Sequence, residues 1–332
     1  MNETHPPALF KILGHPERYE ILKRLMAAPA TLSQLGEAFK KTPAHIRHHV
    51  KVLEQAGLVE FVEARPVQGG PEKYYRAAQR ALLIHETVLP ELSEGKVAIT
   101  VGSMDTGITR LAEYISLHKL PVHLLPVPIS SLDGLIALRQ SLIQMSTCHL
   151  INPQSEEYNR PFVRHLFPSQ AMALIQIYRR EGGLMLKPGN PLGIRALEDL
   201  ARPEVRFVNR EPGSGIRQWL DLHLGKLGIH PEHIQGYGRI LRSHGEIARA
   251  IRAGEADAGI GIASIAREFG LDFVSLFDEP YELVTPLDLV NDQRYEPFFE
   301  ALSSGQFRSA VSKLDGYAVP QTWGGIEVVR QS

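Results

Sequence analysis

The sequence predicts an α/β chain in two parts: an N-terminal winged helix-turn-helix, then a larger α/β domain with parallel strands. Three observations predict it. Charge is split unevenly along the chain, two short capped helix patterns flank a tight turn between residues 31 and 57, and from residue 97 apolar strands repeatedly run into small, hydroxyl-rich turns that open helices. At 332 residues the chain can hold two or three domains, each with its own core. With 43% hydrophobic and 22% charged residues it falls outside the disordered, collagenous and coiled-coil classes. Its single cysteine, Cys148, excludes an internal disulfide framework and fits a reducing compartment.

Residues 1–90 carry six Lys and six Arg against nine Glu and no Asp, while the remainder carries 24 basic and 28 acidic side chains. The basic excess sharpens between Glu37 and Glu54, where Lys40, Lys41, Arg47 and Lys51 meet no acid and His45, His48 and His49 intervene. Such a segment suits a polyanion, although a solvated helix face has the same composition. The longest run without Asp, Glu, Lys or Arg, 140–155, is polar and shorter than the roughly 18 apolar residues of a membrane span. The first residues lack a basic segment followed by an apolar core, so the expected location is cytoplasmic, with no membrane partner.

Taking the elements in order, Ile12 to Leu25 reads as a helix with Leu13, Tyr19, Ile21, Leu22 and Leu25 on its apolar stripe and Pro16 near its first turn. A second helix starts at Thr31, which forms a capping-box pattern with Gln34. A third has Thr42 as N-cap and Pro43 at the first helical position, and stops at Gly57. The short turn between them makes a helix-turn-helix. Leu58 to Val62 reads as a strand, 65–72 as a turn and Lys73 to Arg76 as the returning strand, a hairpin wing. Residues 81–95 read as a linker helix ended by Pro90. In the second half, Val97 to Val101 is a strand leading into GlySerMetAspThrGly at 102–107 and a helix from 105 to 118, with Leu120 to Val127 as the next strand. Val205 to Asn209, the turn at 210–217 and a helix over Trp219 to Leu227 repeat the arrangement. Both strand ends can offer backbone N–H groups, with Ser103 or Ser214, to an anion. Residues 243–262 read as an amphipathic helix closed by Gly254 and a short strand.

The front segment resembles the winged helix-turn-helix of the arsenical-repressor (ArsR) type. LeuGlyHisProGluArg at 13–18, IleLeuLysArgLeu at 21–25 and HisValLysValLeuGluGlnAlaGlyLeuVal at 49–59 carry the resemblance, over about residues 8–80. It implies that helix 42–56, which also bears Lys51, enters the major groove of a double-stranded operator. His45, Arg47 and His48 then face bases or phosphates, and Arg65, Lys73 and Arg76 of the wing approach the backbone. Arg47 stands where many relatives have a small hydroxyl residue. SerGlnLeuGlyGlu at 33–37 lacks the cysteine ligands of metal-sensing relatives. The clustered histidines meet no Cys or carboxylate at ligand spacing, so no protein-ligated metal site is expected.

Residues 95–290 resemble a two-lobed, type II periplasmic-binding-protein-like domain, and more narrowly the molybdate-binding-like domain. The motifs are GlySerMetAsp at 102, SerLeuAspGlyLeuIleAlaLeuArg at 131, HisLeuIleAsnPro at 149, GluTyrAsn at 157, LysProGlyAsnPro at 187, AsnArgGluProGlySerGlyIleArg at 209 and GlyLeuAspPhe at 270. The resemblance implies a clamp with lobe one at about 96–180 and 276–325, lobe two at about 181–275, and Ser103, Asp105, Ser131, Asn152, Arg210, Ser214, Arg217 and His244 around the cleft. Asp105 is expected to cap its own helix, and Arg217 has the alternative of an ion pair with Asp221. Met104 replaces a common histidine and Ile216 a common threonine. The reading is a one-component, non-enzymatic transcriptional regulator, homodimeric, without a cofactor, whose effector is an oxyanion such as molybdate or tungstate. A rival is a carrier or enzyme handling molybdenum cofactor, with the N-terminal module making protein contacts; an extracytoplasmic transport receptor lacks the export signal. No catalytic set can be named: GlyIleGlyIleAlaSer at 259–264 has Ser264 in place of the third glycine, and no GxxxxGK[ST] loop occurs.

Overall fold

The computed structural model describes residues 6–67, 70–79 and 95–330. The chain divides into two compact units, 1–88 and 89–332, each described by itself below. The expected linker helix at 81–95 falls almost wholly outside the described residues.

In the first unit, α1 (Pro6–Leu13) and α2 (Pro16–Ala27) replace the single helix expected from residue 12. Pro16 has no N–H to donate and so begins a helix rather than continuing one. His15 therefore becomes the N-cap of α2. Tyr19, expected on the apolar stripe, is exposed, whereas Ile21, Leu22 and Leu25 are buried. After β1 (Ala30–Thr31), α3 (Leu32–Phe39) starts with the full Thr31–Gln34 capping box. α4 (Pro43–Gln55) starts at Thr42, whose hydroxyl accepts from His45 N. The turn between them is tight because Lys40 takes a left-handed conformation and Gly36 lets the chain close. A Cβ at residue 36 would lie 2.7 Å from the Lys41 carbonyl oxygen. Ile46, Val50 and Leu53 of α4 pack on Leu35, Ile21 and Leu25, which fixes the helix and leaves Arg47, His48 and Lys51 outward.

The wing is longer than expected. β2 (Val59–Val67) and β3 (Gly70–Ala77) pair antiparallel through Arg65–Glu72 and Pro66–Pro71, residues the sequence assigned to the turn. At that height the ribbon has two strands only, since β1 pairs no further than Tyr74 and Tyr75, so each proline can turn its missing donor to solvent.

The second unit follows as β4 (Val97–Gly102), α5 (Thr106–Leu117), β5 (Val122–Val127), α6 (Ser131–Arg139), β6 (Met145–Cys148), α7 (Arg160–Leu166), β7 (Met172–Leu186), β8 (Phe207–Arg210), α8 (Gly215–Lys226), β9 (Ile240–Leu241), α9 (His244–Arg252), β10 (Ala258–Ile262), α10 (Ala263–Glu268), β11 (Asp272–Pro286), α11 (Leu287–Val290), α12 (Glu296–Ser303), α13 (Gly305–Val311), β12 (Tyr317–Ala318) and β13 (Ile326–Val329). The main sheet runs β5-β4-β6-β11-β7-β10-β8-β9. It is mixed rather than parallel. β4 pairs parallel with β5 and β6, and β8 with β9 and β10, but the fifteen-residue strands β7 and β11 run antiparallel to each other through the middle.

Those two strands connect the halves of the sheet, with register shifts at Ser275/Phe277 and Tyr281/Glu282. The first half is covered by α5, α12 and α13 on one face and by α6 and α7 on the other. The second half buries Ile216, Trp219 and Leu220 of α8 on one face and Ile247 and Ile251 of α9 on the other. Each half thus has its own core, and the helices starting at the strand ends face the cleft between them.

Candidate functional site

On the first unit, Arg47 and Lys51 of α4 and Lys73 of β3 line an open groove of about 500 Å³ between helix and wing, shared with Glu54 and Glu72. His48 is exposed on the same helix. Arg65 and Arg76 lie on the wing ribbon, paired with Glu63 (2.5 Å) and Glu60 (2.6 Å), and Arg65 stacks on Tyr74. Exposed pairs of this kind contribute only about 0–1 kcal/mol, so either guanidinium can exchange its partner for a phosphate at little cost. His45 departs from the expectation: its Nε2 lies 2.7 Å from Glu17 Oε2, on the side of α4 facing α2.

In the second unit, a small hollow opens between the two halves of the sheet. Its volume is about 20 Å³, and its lining includes Ser130, Ser131, Thr147, Arg210, Ser214 and His244. Three helix starts meet there: α6, with Ser130 as N-cap; α8, with Ser214 as N-cap; and α9, whose first residue is His244. Each contributes N–H groups and the positive end of a helix dipole. The Ser214 side chain makes no capping bond. α8 comes this close because residue 215 is glycine; a Cβ there would lie 2.3 Å from the His149 carbonyl oxygen.

Protonation follows from the hydrogen bonds. Arg210 Nη1 donates to His244 Nε2 at 3.1 Å, so the imidazole proton sits on Nδ1. That Nδ1 is buried and has no partner. Burial, then the neighbouring Arg210, hold His244 well below the ordinary histidine range, and it is neutral at pH 7. His149 Nδ1 donates to Glu279 (2.9 Å), and its pKa is likewise lowered by burial.

The floor of the hollow is a buried charge network. Arg180, which lines it, pairs with both Asp105 and Glu279, and all three side chains are at most 3% exposed. The Tyr281 ring packs under the Arg180 guanidinium at 4.3 Å and bonds through its hydroxyl to Ser103 and Thr147. Arg210 pairs with Glu211. The cationic charges at the hollow are therefore largely balanced, while among the described residues no carboxylate lines it.

A helix-turn-helix domain model matches residues 13–62, and a PBP superfamily domain model matches residues 112–303. The chain belongs to the PBP superfamily. An uncharacterized Bacillus subtilis (strain 168) protein, YvgK, is 32% identical over 231 residues, covering 69% of this chain and 73% of the relative. Among solved structures, a putative phosphate ABC transporter substrate-binding protein from Clostridium perfringens, with bound phosphate, superposes with a TM-score of 0.53 at 15% identity over 68% of this chain and all of its own. The sulfate-binding protein SubI of Mycobacterium tuberculosis H37Rv superposes at 0.51 with 13% identity, over 69% and 88% of the two chains. At such identities the likeness establishes the fold, a type II periplasmic-binding-protein fold.

Within the PBP-superfamily domain, four expected residues line the hollow: Ser131, Arg210, Ser214 and His244. Ser103 lies one hydrogen bond behind, through Tyr281. Asp105 caps α5 through Gly107 N (2.8 Å) and also accepts from Tyr178, Tyr317 and Arg180, which occupies both its oxygens. Asn152 closes its own turn by accepting from Gln154 N and Ser155 N. Arg217 pairs with Asp221 (2.7 Å) and donates to the Arg210 carbonyl. Sequence reasoning missed Ser130, Thr147, His149, Arg180 and Tyr281. A signal for Arg180 existed: a basic residue inside the otherwise apolar MetAlaLeuIleGlnIleTyrArgArg strand at 172–180 needs a buried partner.

Proposed function

We propose that this chain is a one-component DNA-binding regulator whose PBP-superfamily domain senses a small oxyanion. The observation that carries the sensor reading is the buried Nδ1–H, without an acceptor, of His244, a residue lining a hollow met by three helix N-termini and serine hydroxyls. An unsatisfied buried donor costs about 1–3 kcal/mol, and an acceptor-rich ligand recovers it. Because the guanidinium charges are already balanced, selectivity rests on hydrogen-bond donors and helix dipoles rather than net charge. Such a set favours an oxyanion that carries no proton at neutral pH. Hydrogenphosphate would bring a donor to a lining without a carboxylate. Molybdate and tungstate are the effectors this reading selects, with sulfate as the nearest competitor.

The DNA-binding reading rests on the groove of Arg47, Lys51 and Lys73 beside an exposed recognition helix, and it favours an ArsR-type dimer on a two-fold operator, in the cytoplasm. Ligand closes the halves of the sheet about β7 and β11 and changes the population of DNA-competent molecules through its differential affinity for the two states. Calorimetry of the full chain with molybdate, tungstate, sulfate and phosphate tests the sensor. Micromolar or tighter binding of molybdate or tungstate, with phosphate weaker, is the expected result; tighter phosphate binding, or none of the four binding, refutes it. Light scattering tests the dimer.

A further inference from the structure

The first unit gathers a second set of polar groups, away from its groove. His15 caps α2, Glu17 lies in the first turn of α2, and His45 and His49 lie four residues apart on α4, so both imidazoles project from one face. Glu17 Oε2 lies 2.7 Å from His45 Nε2 and 3.0 Å from His49 Nε2, and the two ring nitrogens are 3.2 Å from each other. The ligating atoms of His15, Glu17 and His49 fall within 4.8 Å of one another. The His15 and His49 rings stand 4.7 Å apart, and the buried Nδ1 atoms of both lack a partner.

Hydrogen bonding accounts poorly for this convergence. If both Nε2 atoms donate to the single oxygen Glu17 Oε2, two N–H groups crowd together at 3.2 Å; if His45 Nε2 is unprotonated, its lone pair faces that oxygen at 2.7 Å. A cation at the centre relieves the crowding at Glu17 Oε2, because the Nε2 lone pairs of both imidazoles and the carboxylate oxygen then all point to it, with His49 Nδ1 carrying its proton in a buried position. A tetrahedral zinc site with bonds of about 2.0–2.1 Å has ligand-to-ligand edges of roughly 3.3 Å. Two of the three short edges here, 3.0 and 3.2 Å, lie within a few tenths of that and the third is 2.7 Å, while the half-buried His15 brings a ligating atom within 4.8 Å of those of Glu17 and His49.

We propose that His15, Glu17, His45 and His49 form a binding site for a divalent transition cation of the zinc class. Imidazole and carboxylate donors without thiolate suit Zn²⁺ and Co²⁺. Glu17 binds through Oε2, while its Oε1 is held by Lys41 at 3.1 Å, which orients the carboxylate. The sequence hid the site because Glu17 and His15 lie some thirty residues from His45 and His49, and only the packing of α2 on α4 joins them. A cation there ties the recognition helix to α2.

The test is titration of the chelator-treated full chain with Co²⁺. Tetrahedral visible absorption saturating near one equivalent and abolished by Zn²⁺ is expected. His45→Gln and Glu17→Gln, both at partly exposed positions where the fold tolerates the change, each weaken Co²⁺ binding at least roughly tenfold. The His230→Gln/His233→Gln double variant, altering another histidine pair, leaves it unchanged. Absence of tetrahedral absorption in the wild-type chain, its survival in His45→Gln and Glu17→Gln, or its loss in the double variant overturns the proposal.

Discussion

Replacing Arg180 by methionine tests the buried network under the hollow. The guanidinium is 3% exposed and neutralises Asp105 and Glu279, exposed 0% and 1%. Deleting it leaves both carboxylates buried without that cation. Removing one partner of a buried pair costs about 3–5 kcal/mol. In a unit spanning residues 89–332, at about 2–4 °C per kcal/mol, this lowers the melting temperature by roughly 6–20 °C. Both tryptophans, Trp219 and Trp323, lie in that unit, so tryptophan fluorescence follows its unfolding separately from the first unit. Adding Glu279→Gln to Arg180→Met is expected to recover part of the loss, because Asp105 retains Gly107 N and the Tyr178 and Tyr317 hydroxyls. Glu279 also sets the acid response. Its pKa is lowered to about 2, with His149 and Arg180 outweighing the burial that opposes them. The stability it contributes is therefore complete above about pH 4.5 and is lost as the pH falls through about 2. A shift below about 2 °C in Arg180→Met, or a double variant no more stable than the single one, refutes this account.

Three further outcomes are expected. Ser214→Ala and His244→Ala each weaken oxyanion binding at least roughly tenfold by calorimetry, since each removes a donor from a desolvated site, while duplex binding is unchanged. Arg47→Ala and Lys51→Ala each weaken duplex binding and reduce the slope of log affinity against log salt by about 1, with tryptophan-monitored melting unaltered. Gly215→Ala drives a methyl group into the His149 carbonyl, costing about 1–3 kcal/mol in thermal melts and weakening oxyanion binding as α8 is displaced.

Some features followed from the chain alone, because local chemistry dictates them. The Thr31–Gln34 capping box, the Thr42–Pro43 helix start and the strand-to-helix turns at 102 and 210 depend on residues within a few positions of one another. Ser131, Ser214 and His244 were legible for the same reason: each stands at or beside a helix start. Tertiary structure decided what depends on distant partners. Arg180 and Tyr281 meet at the hollow only because β7 and β11 pair across nearly a hundred residues, His149 joins them because β6 pairs with β11, and Asp105 and Arg217 are drawn off by partners as near as Asp221 and as far as Tyr317. Likewise, Glu17 meets His45 and His49 only when α2 packs on α4. Sequence patterns encode the periodicity that builds each helix and strand; which charges become neighbours is set when apolar faces close, and that closure also fixes which donors and carboxylates find partners.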